Sequence, residues 1–114
     1  MSAREQTVYA VRLIRVANNS FARLYGEIAS FMEGPGSEIF GCREIHLYGN
    51  EANSEILIVS EYVSCRDWSH AQWDQRLGEL LEEIVVNSET IHFGLYTGHH
   101  RFLARHELAA VQTP

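Results

Sequence analysis

The order in which two apolar periodicities alternate along the chain restricts the folds that it can adopt. Four segments are rich in β-branched and apolar residues, as strands are, and they cover residues 7–16, 39–48, 55–63 and 90–97. Two further segments, 20–33 and 65–86, repeat apolar residues at helical spacing. The resulting β-α-β-β-α-β order is that of the ferredoxin-like split βαβ arrangement. Because such crossovers are right-handed, the sequence predicts an α+β fold with both helices on one face of a four-stranded antiparallel sheet.

Turn-forming and capping residues set the boundaries of these segments. A Gly-Pro-Gly run at 34–36 ends the first helix. The loop at 49–55 joins the second and third strands, which are expected to form a hairpin. Ser64 with Asp67 three residues later fits a capping box, which predicts that the second helix starts at about Cys65.

The chain of 114 residues is long enough for a single core, so residues 1–114 are expected to form one domain. The residues that follow the fourth strand, 98–114, are expected to form a C-terminal tail or arm. Within that tail, 101–112 is a weak helix candidate.

The composition excludes several kinds of chemistry. All nine basic residues are arginines, so the lysine amine required by Schiff-base catalysis, covalent pyridoxal attachment and the P-loop is missing. A net charge of −6 without a basic cluster argues against nucleic acid as a partner. No apolar run reaches membrane-spanning length, and the polar first residues lack the apolar core of a signal peptide, so we expect a cytoplasmic protein without a membrane partner. His99 and His100 lack carboxylates at ligand spacing, and no metal is expected.

Alternation along the strands divides the sheet into two faces. The nearly pure hydrocarbon face is expected to meet the helices and contains Tyr9, Val11, Leu13, Ile45, Leu47, Leu57, Val59, Ile91, Phe93 and Leu95. The opposite face is mixed and contains Val8, Ala10, Arg12, Ile14, Cys42, Glu44, His46, Tyr48, Ile56, Ile58, Ser60, Tyr62, His92, Gly94 and Tyr96. Such a surface suits a sheet-to-sheet homodimer. The alternative is a structural surface in which Arg12 pairs with Glu44 and the histidines are satisfied by hydrogen bonds.

The second helix carries a titratable residue on its apolar stripe. Counting 100° per residue from Cys65 gives a stripe made of Trp73, Leu77, Leu80, Leu81 and Ile84. His70 extends this stripe towards the start of the helix, and Trp68 lies off it. Trp73 is therefore expected in the core, and His70 is expected to point towards the sheet, where burial would lower its pKa. A hydrogen-bonded histidine with a structural role is the alternative.

Within the span 41–73, Gly41-Cys42 starts a strand, a hairpin follows and leads to Ile58-Val59-Ser60-Glu61-Tyr62, and Ser64 precedes a histidine-bearing helix. This span resembles the antibiotic-biosynthesis monooxygenase family of the dimeric α+β barrel superfamily, and by element order the resemblance covers about residues 7–97. It implies ferredoxin-like domains that pair sheet to sheet as dimers. Several such proteins oxidise quinol-like or polycyclic aromatic substrates with O₂ and no metal or flavin.

Related members of that superfamily degrade haem with an Asn–Trp–His set, which this sequence does not match. Arg12 and Leu13 stand in the first strand where the asparagine would be, and Gly78 stands where the histidine would follow Trp68. The resemblance therefore implies a cofactor-free oxygenase rather than a haem-degrading enzyme.

The site that follows from this resemblance uses His70 as the catalytic base. Trp68 and Tyr9 would form aromatic walls, and Trp73 and Arg12 would complete the substrate-binding set. An electron-rich aromatic substrate deprotonated in an apolar pocket could pass an electron to O₂, and an arginine could hold the developing oxyanion. No cofactor is expected. Two alternatives remain open: a cyclase or isomerase with the same base, and a non-catalytic ligand-binding or regulatory dimer.

Overall fold

A computed structural model describes residues 6–17 and 19–100 and contains four strands and three α-helices in that part of the chain. In chain order they are β1 (Val8–Val16), α1 (Phe21–Glu33), β2 (Cys42–Asn50), β3 (Glu55–Tyr62), α2 (Cys65–Ala71), α3 (Gln75–Asn87) and β4 (Ser88–Tyr96). Short 3₁₀ helices occupy Pro35–Glu38 and Glu51–Asn53. No helix in the described ranges is long and apolar enough to cross a membrane.

The four strands form one antiparallel sheet in the order β2-β3-β1-β4. This confirms the predicted ferredoxin-like α+β arrangement. The β2–β3 hairpin is also present, and its loop ends at Ser54 with a left-handed φ of 57°. The predicted helix at 101–112 and most of the predicted tail at 98–114 lie outside the described residues.

The core lies between the helices and one face of the sheet. Leu24 and Ile28 of α1 and Ile84 of α3 are almost fully buried. They contact Ile14, Val16 and Ile56 of the two central strands. A second cluster joins Ala71 of α2 to residues of β1 and β3. The opposite face of the sheet, which we call the outer face, is not covered by any described element.

The predicted assignment of faces is wrong for the two central strands. Val8, Ala10 and Ile14 of β1 are buried against the helices, whereas Tyr9 and Val11 point to the outer face. The same parity holds in β3, where the even-numbered residues face the helices: Ile56, Ile58, Ser60 and Tyr62. Directly opposed residues of antiparallel strands share a face, so a residue paired with a helix-facing residue of β1 or β3 also faces the helices.

The outer two strands follow the prediction more closely. Ile45 and Leu47 of β2 and Phe93 of β4 lie on the helix side, as expected. Cys42 also lies on that side, contrary to the prediction, because the pairing of β2 with β3 shifts between Cys42 and Glu44. Glu44 is on the outer face and contacts His46 at 2.7 Å, so the predicted pairing with Arg12 does not form.

The predicted second helix is interrupted, and this changes the place of two candidate residues. Asp74 caps α3 by accepting hydrogen bonds from the backbone of Arg76 (2.9 Å) and Leu77 (3.2 Å). Helical counting across the break between α2 and α3 therefore loses its phase. Trp73 lies in the break and is 87% exposed, and His70 lies in the last turn of α2 and is exposed. The expected burial of both side chains is wrong.

Candidate functional site

A cavity of about 70 Å³ lies between the helix side of the sheet and the three helices. Its sheet wall consists of Ala10, Arg12, Ile45, Ile58, Ser60, Tyr62 and Phe93. Its helix wall consists mainly of aliphatic and aromatic side chains, with Trp68 and Gln72 contributed by α2 and the segment after it. Gln72 is exposed and Phe93 is 40% exposed, so the cavity has a mouth at this end.

The position of α2 over the sheet is set by a close approach between Gly41 and Asp67. Gly41 has a φ of +85°, and an ideal Cβ on it would lie 2.5 Å from the Asp67 Cβ. Ser64, which is 7% exposed, caps the helix by accepting a hydrogen bond from the Asp67 amide at 3.1 Å. The predicted cap and the predicted helix start at Cys65 are confirmed. One residue later, Trp68 is directed to the cavity.

Three cavity residues form a row of a cation and two aromatic rings. The Cζ atom of Arg12 lies 4.6 Å from the centre of the Phe93 ring. The ring centres of Phe93 and Trp68 are 6.4 Å apart, with an interplanar angle of 30°. Arg12 and Phe93 are directly opposed in the β1–β4 pairing, so the backbone register fixes their proximity. A cation over a ring contributes about 0.5–2 kcal/mol, depending on how far it is removed from water.

Arg12 is the one charged side chain among the described residues that line the cavity. It is half-buried, and desolvation lowers its pKa, with no acidic group or hydrogen bond from the described residues acting against that shift. Arg15 on the same strand is different because it pairs with Glu55 at 3.0 Å. Removing a cation from water has a cost that an aromatic ring offsets only in part. The Arg12 guanidinium is therefore a positive charge in a mostly apolar cavity, and it has no anionic partner among the described residues.

Tyr62 lines the cavity with a neutral phenol side chain, whose hydroxyl group interacts with Cys42. It is 4% exposed, and burial raises its pKa well above the usual range, with a further rise caused by the neighbouring Cys42. Burial also raises the pKa of the Cys42 thiol. Both groups stay protonated near neutral pH, and the Tyr62 hydroxyl can donate a hydrogen bond.

The structure brings two of the predicted site residues together and separates three from them. Arg12 and Trp68 line the cavity. Tyr9 lies on the outer face, where its ring is 5.3 Å from that of His99. Trp73 and His70 are exposed and are not among the lining residues. The role of His70 as a base is untested, but its geometry does not place it at this cavity.

The sequence pattern predicted Phe93 and Tyr62 on opposite faces of the sheet and did not predict either residue in the site. The signal that could have found Phe93 is its register with Arg12, which becomes visible only once the strands are paired. Ser60 and Gln72 were missed for the same reason, because neither belongs to a motif and both reach the cavity through the fold.

The enclosed space is smaller than expected for a fused-ring ligand. A cavity of about 150 Å³ takes up benzene, and this one measures about 70 Å³. A ring therefore enters only if side chains at the mouth move. Gln72, Phe93 and Trp68 are the candidates because each combines a cavity contact with partial or full exposure.

These features define the class of protein: a ferredoxin-like α+β domain with a small apolar cavity, containing one cation, between its sheet and its helices. No family model matches the chain, and no curated protein matches it.

Solved structures that are similar to the chain share its fold. One is a conserved protein from Methanosarcina mazei Go1, with a TM-score of 0.72, 13% identity, and coverage of 84% of this chain and 96% of that chain. Another is a conserved protein of unknown function from Bacteroides thetaiotaomicron, described as a possible oxidoreductase, with a TM-score of 0.71, 10% identity, and coverage of 81% and 97%.

A third similar structure is SnoaB from Streptomyces nogalater, a cofactor-independent oxygenase. It has a TM-score of 0.67 and 14% identity, and the match covers 84% of this chain and 96% of that chain. The expected resemblance to the antibiotic-biosynthesis monooxygenase fold is thereby confirmed. At these identities the likeness concerns the fold.

Proposed function

We propose that the protein is a small cofactor-independent monooxygenase that acts on an aromatic, quinol-like or polyketide-like substrate. The observation that carries the proposal is the cavity, which combines aromatic walls from Trp68 and Phe93 with the cation of Arg12. The fold shared with a cofactor-independent oxygenase supports it.

This reaction requires the protein to stabilise an anion of the substrate. Loss of a proton from an anthrone or a quinol gives an anion whose charge is spread over oxygen and carbon. Arg12 would favour that anion through its charge, and the neutral Tyr62 hydroxyl would donate a hydrogen bond to it. The described lining contains no imidazole or carboxylate, so the proton would leave to water at the mouth.

The anion then transfers one electron to O₂, and the resulting radical pair combines to form a carbon–oxygen bond. For an anthrone, protonation of the peroxide and loss of water convert the CH₂ group to C=O. One oxygen atom of O₂ enters the product and the other becomes water. Trp68 and Phe93 would hold the ring and limit access of water, which raises the strength of the Arg12 interaction.

Oxygen uptake in the presence of an anthrone or a hydroquinone tests the proposal. The wild-type protein should consume O₂ faster than the uncatalysed reaction, and W68A should lower this rate by about tenfold or more, because the ring is no longer positioned. H70A should retain the rate. No O₂ uptake above the uncatalysed rate would contradict the proposal. Loss of O₂ uptake in H70A would support the role of His70 as the catalytic base.

The second candidate is a non-catalytic ligand-binding or regulatory protein. The observation that favours it is the lining of the cavity, in which the described residues include no group that is an effective base near neutral pH. Binding of an aromatic ligand without O₂ uptake would select this candidate. Turnover of substrate without O₂ uptake would select a cyclase or isomerase.

The protein is also proposed to act as a homodimer that buries the outer face. The residues that support this are partly exposed and apolar in an otherwise polar surface, and they include Tyr9, Val11, Leu13, Leu57 and Val59. A contact of roughly 1,600 Å² or more in total is expected. Sedimentation at micromolar concentration should show a dimer, and V11E should dissociate it. A wild-type monomer would contradict the proposal.

A further inference from the structure

The chemistry of the cavity selects among aromatic ligands. The described lining contains one cation, two neutral hydroxyl-bearing residues (Ser60 and Tyr62), the carboxamide of Gln72, and aromatic and aliphatic side chains. It offers no described carboxylate that could pair with Arg12. A ligand that only filled the apolar part would leave that guanidinium without a partner in a less hydrated space.

We infer that the ligand of this cavity is an aromatic monoanion whose oxyanion, a carboxylate or a phenolate, binds Arg12 while its ring contacts Trp68 and Phe93. This inference rests on the proposed function in using the same cavity, and it specifies the charge and shape of the substrate.

The geometry of Arg12 favours this type of anion. Its Cζ atom lies 4.6 Å from the centre of the Phe93 ring, and no described acidic side chain pairs with the guanidinium, so its N–H groups are available to a ligand. Those N–H groups form a planar fork that matches a planar oxyanion. Since the described lining carries a single positive charge, a dianion such as a phosphate group would bring one unpaired charge into the apolar space.

Two hydroxyl-bearing residues also favour an oxyanion as the ligand. Ser60 and Tyr62 lie two residues apart on β3, so they share a face of that strand, and both line the cavity. Each side chain has an O–H group that can donate to an oxyanion. Burial raises the pKa of Tyr62, and its hydroxyl group also has Cys42 as a hydrogen-bonding neighbour.

Trp68 provides a direct signal of binding. The sequence has two tryptophans, and the second one, Trp73, is 87% exposed and outside the cavity. W73F therefore leaves Trp68 as the one source of tryptophan fluorescence. In this background, benzoate and benzamide can be titrated as ligands of nearly equal shape that differ in charge.

Benzoate is expected to bind about tenfold or more tightly than benzamide, since a charge-assisted hydrogen bond contributes about this factor. R12Q should abolish the preference and leave benzamide binding within about twofold, and R12K should restore part of it. R15Q is the matched control: it removes the same charge from the outer face of the same strand, and the preference should persist. Circular dichroism establishes that each variant is folded, and binding of benzamide by R12Q shows that the cavity is intact.

A third probe, 4-cyanophenol, distinguishes a phenolate ligand from a carboxylate ligand. Its binding is measured below and above its own pKa. Tighter binding of the phenolate than of benzoate identifies the substrate's own hydroxyl group as the oxyanion, and the reverse identifies a separate carboxylate. Acetate alone should bind at least tenfold more weakly than benzoate, because it lacks the ring.

Equal binding of benzoate and benzamide, an unchanged preference in R12Q, or no binding of any probe would overturn the inference. The proposed oxygenase function fails by a different result. If the charge preference is present and no O₂ is consumed with anthrones or hydroquinones, the oxygenase is wrong and the oxyanion site stands. If O₂ is consumed and no charge preference exists, the inference about the ligand is wrong.

Discussion

Replacing Gly41 with alanine should loosen the contact that holds α2 over the sheet. Gly41 combines a left-handed backbone, with φ at +85°, and a close approach to Asp67. The Cβ atom of an alanine would lie 2.5 Å from the Asp67 Cβ and 2.7 Å from its Cγ, which are distances that real Cβ atoms do not show. The backbone or the helix must therefore shift.

Two costs add in this variant. A left-handed conformation costs an L-residue with a side chain about 1–2 kcal/mol, and forcing an extra carbon into a packed contact costs about 1–3 kcal/mol. We expect G41A to lower the free energy of unfolding by about 2–5 kcal/mol, which is a large fraction of the stability of a small domain. Urea denaturation followed by circular dichroism measures this change as a shift of the midpoint urea concentration, with the denaturant dependence (m-value) unchanged.

The matched control is G26A. Gly26 lies in α1, and beyond its chain neighbours and the backbone of its own helix no described atom lies within 4 Å of an added Cβ. Alanine there should raise the stability by about 0.5–1 kcal/mol, because it favours the helix. If G41A loses less than about 1 kcal/mol, or changes the stability in the same direction as G26A, the close approach between Gly41 and Asp67 is not a constraint on the fold.

Three further changes test other parts of the structure. Leu24 is fully buried in the core, and L24A should lower the free energy of unfolding by about 2–5 kcal/mol in the same urea assay; a loss below about 1 kcal/mol would contradict its place there. The pKa of Asp74 is lowered below its ordinary 3.8, first by the hydrogen bond from the Arg76 side chain. Its contribution to stability is therefore present above that value and lost as the pH falls through the lower folded-state pKa, so the wild-type protein should lose stability relative to D74N below about pH 4. An equal acid dependence of the two proteins would show that this carboxylate is not engaged. H70A should leave both the stability and the binding of benzoate unchanged, because the imidazole is exposed and outside the cavity; a tenfold loss of binding would contradict this placement.

The element order could be predicted because it depends on local periodicity. The four strands and α1 occur within a few residues of their expected bounds, and the start of the second helical region at Cys65 follows from its cap. The sequence does contain a signal for the interruption after α2, but counting apolar residues at helical spacing does not detect it. Asp74 is a favourable cap residue in the middle of the expected helix, and its two backbone hydrogen bonds start a new helix there.

The faces of the central strands could not be read from polarity. β1 has apolar residues at both odd and even positions, with one arginine on each side, so neither face is distinctly polar. Arg12 was the misleading residue. Its charge suggested the surface, but it has the same parity as the buried Ala10 and Ile14 and lines the cavity on the helix side. The size of the cavity depends on the packing of side chains from several elements, which no single segment encodes.

If O₂ reacts with an aromatic anion in the cavity formed by Arg12, Trp68 and Phe93, the oxygen atom gained by the product comes from O₂. An anthrone is incubated with the protein under O₂ enriched in a heavy isotope, with a protein-free sample to subtract spontaneous oxidation. Mass spectrometry should find one heavy oxygen atom in the new carbonyl group. The rate of its incorporation should fall by about tenfold or more in R12Q and W68A and should persist in R15Q. A product formed at the same rate in R12Q and W68A, or no heavy oxygen above the protein-free sample, would contradict a reaction of O₂ in this cavity.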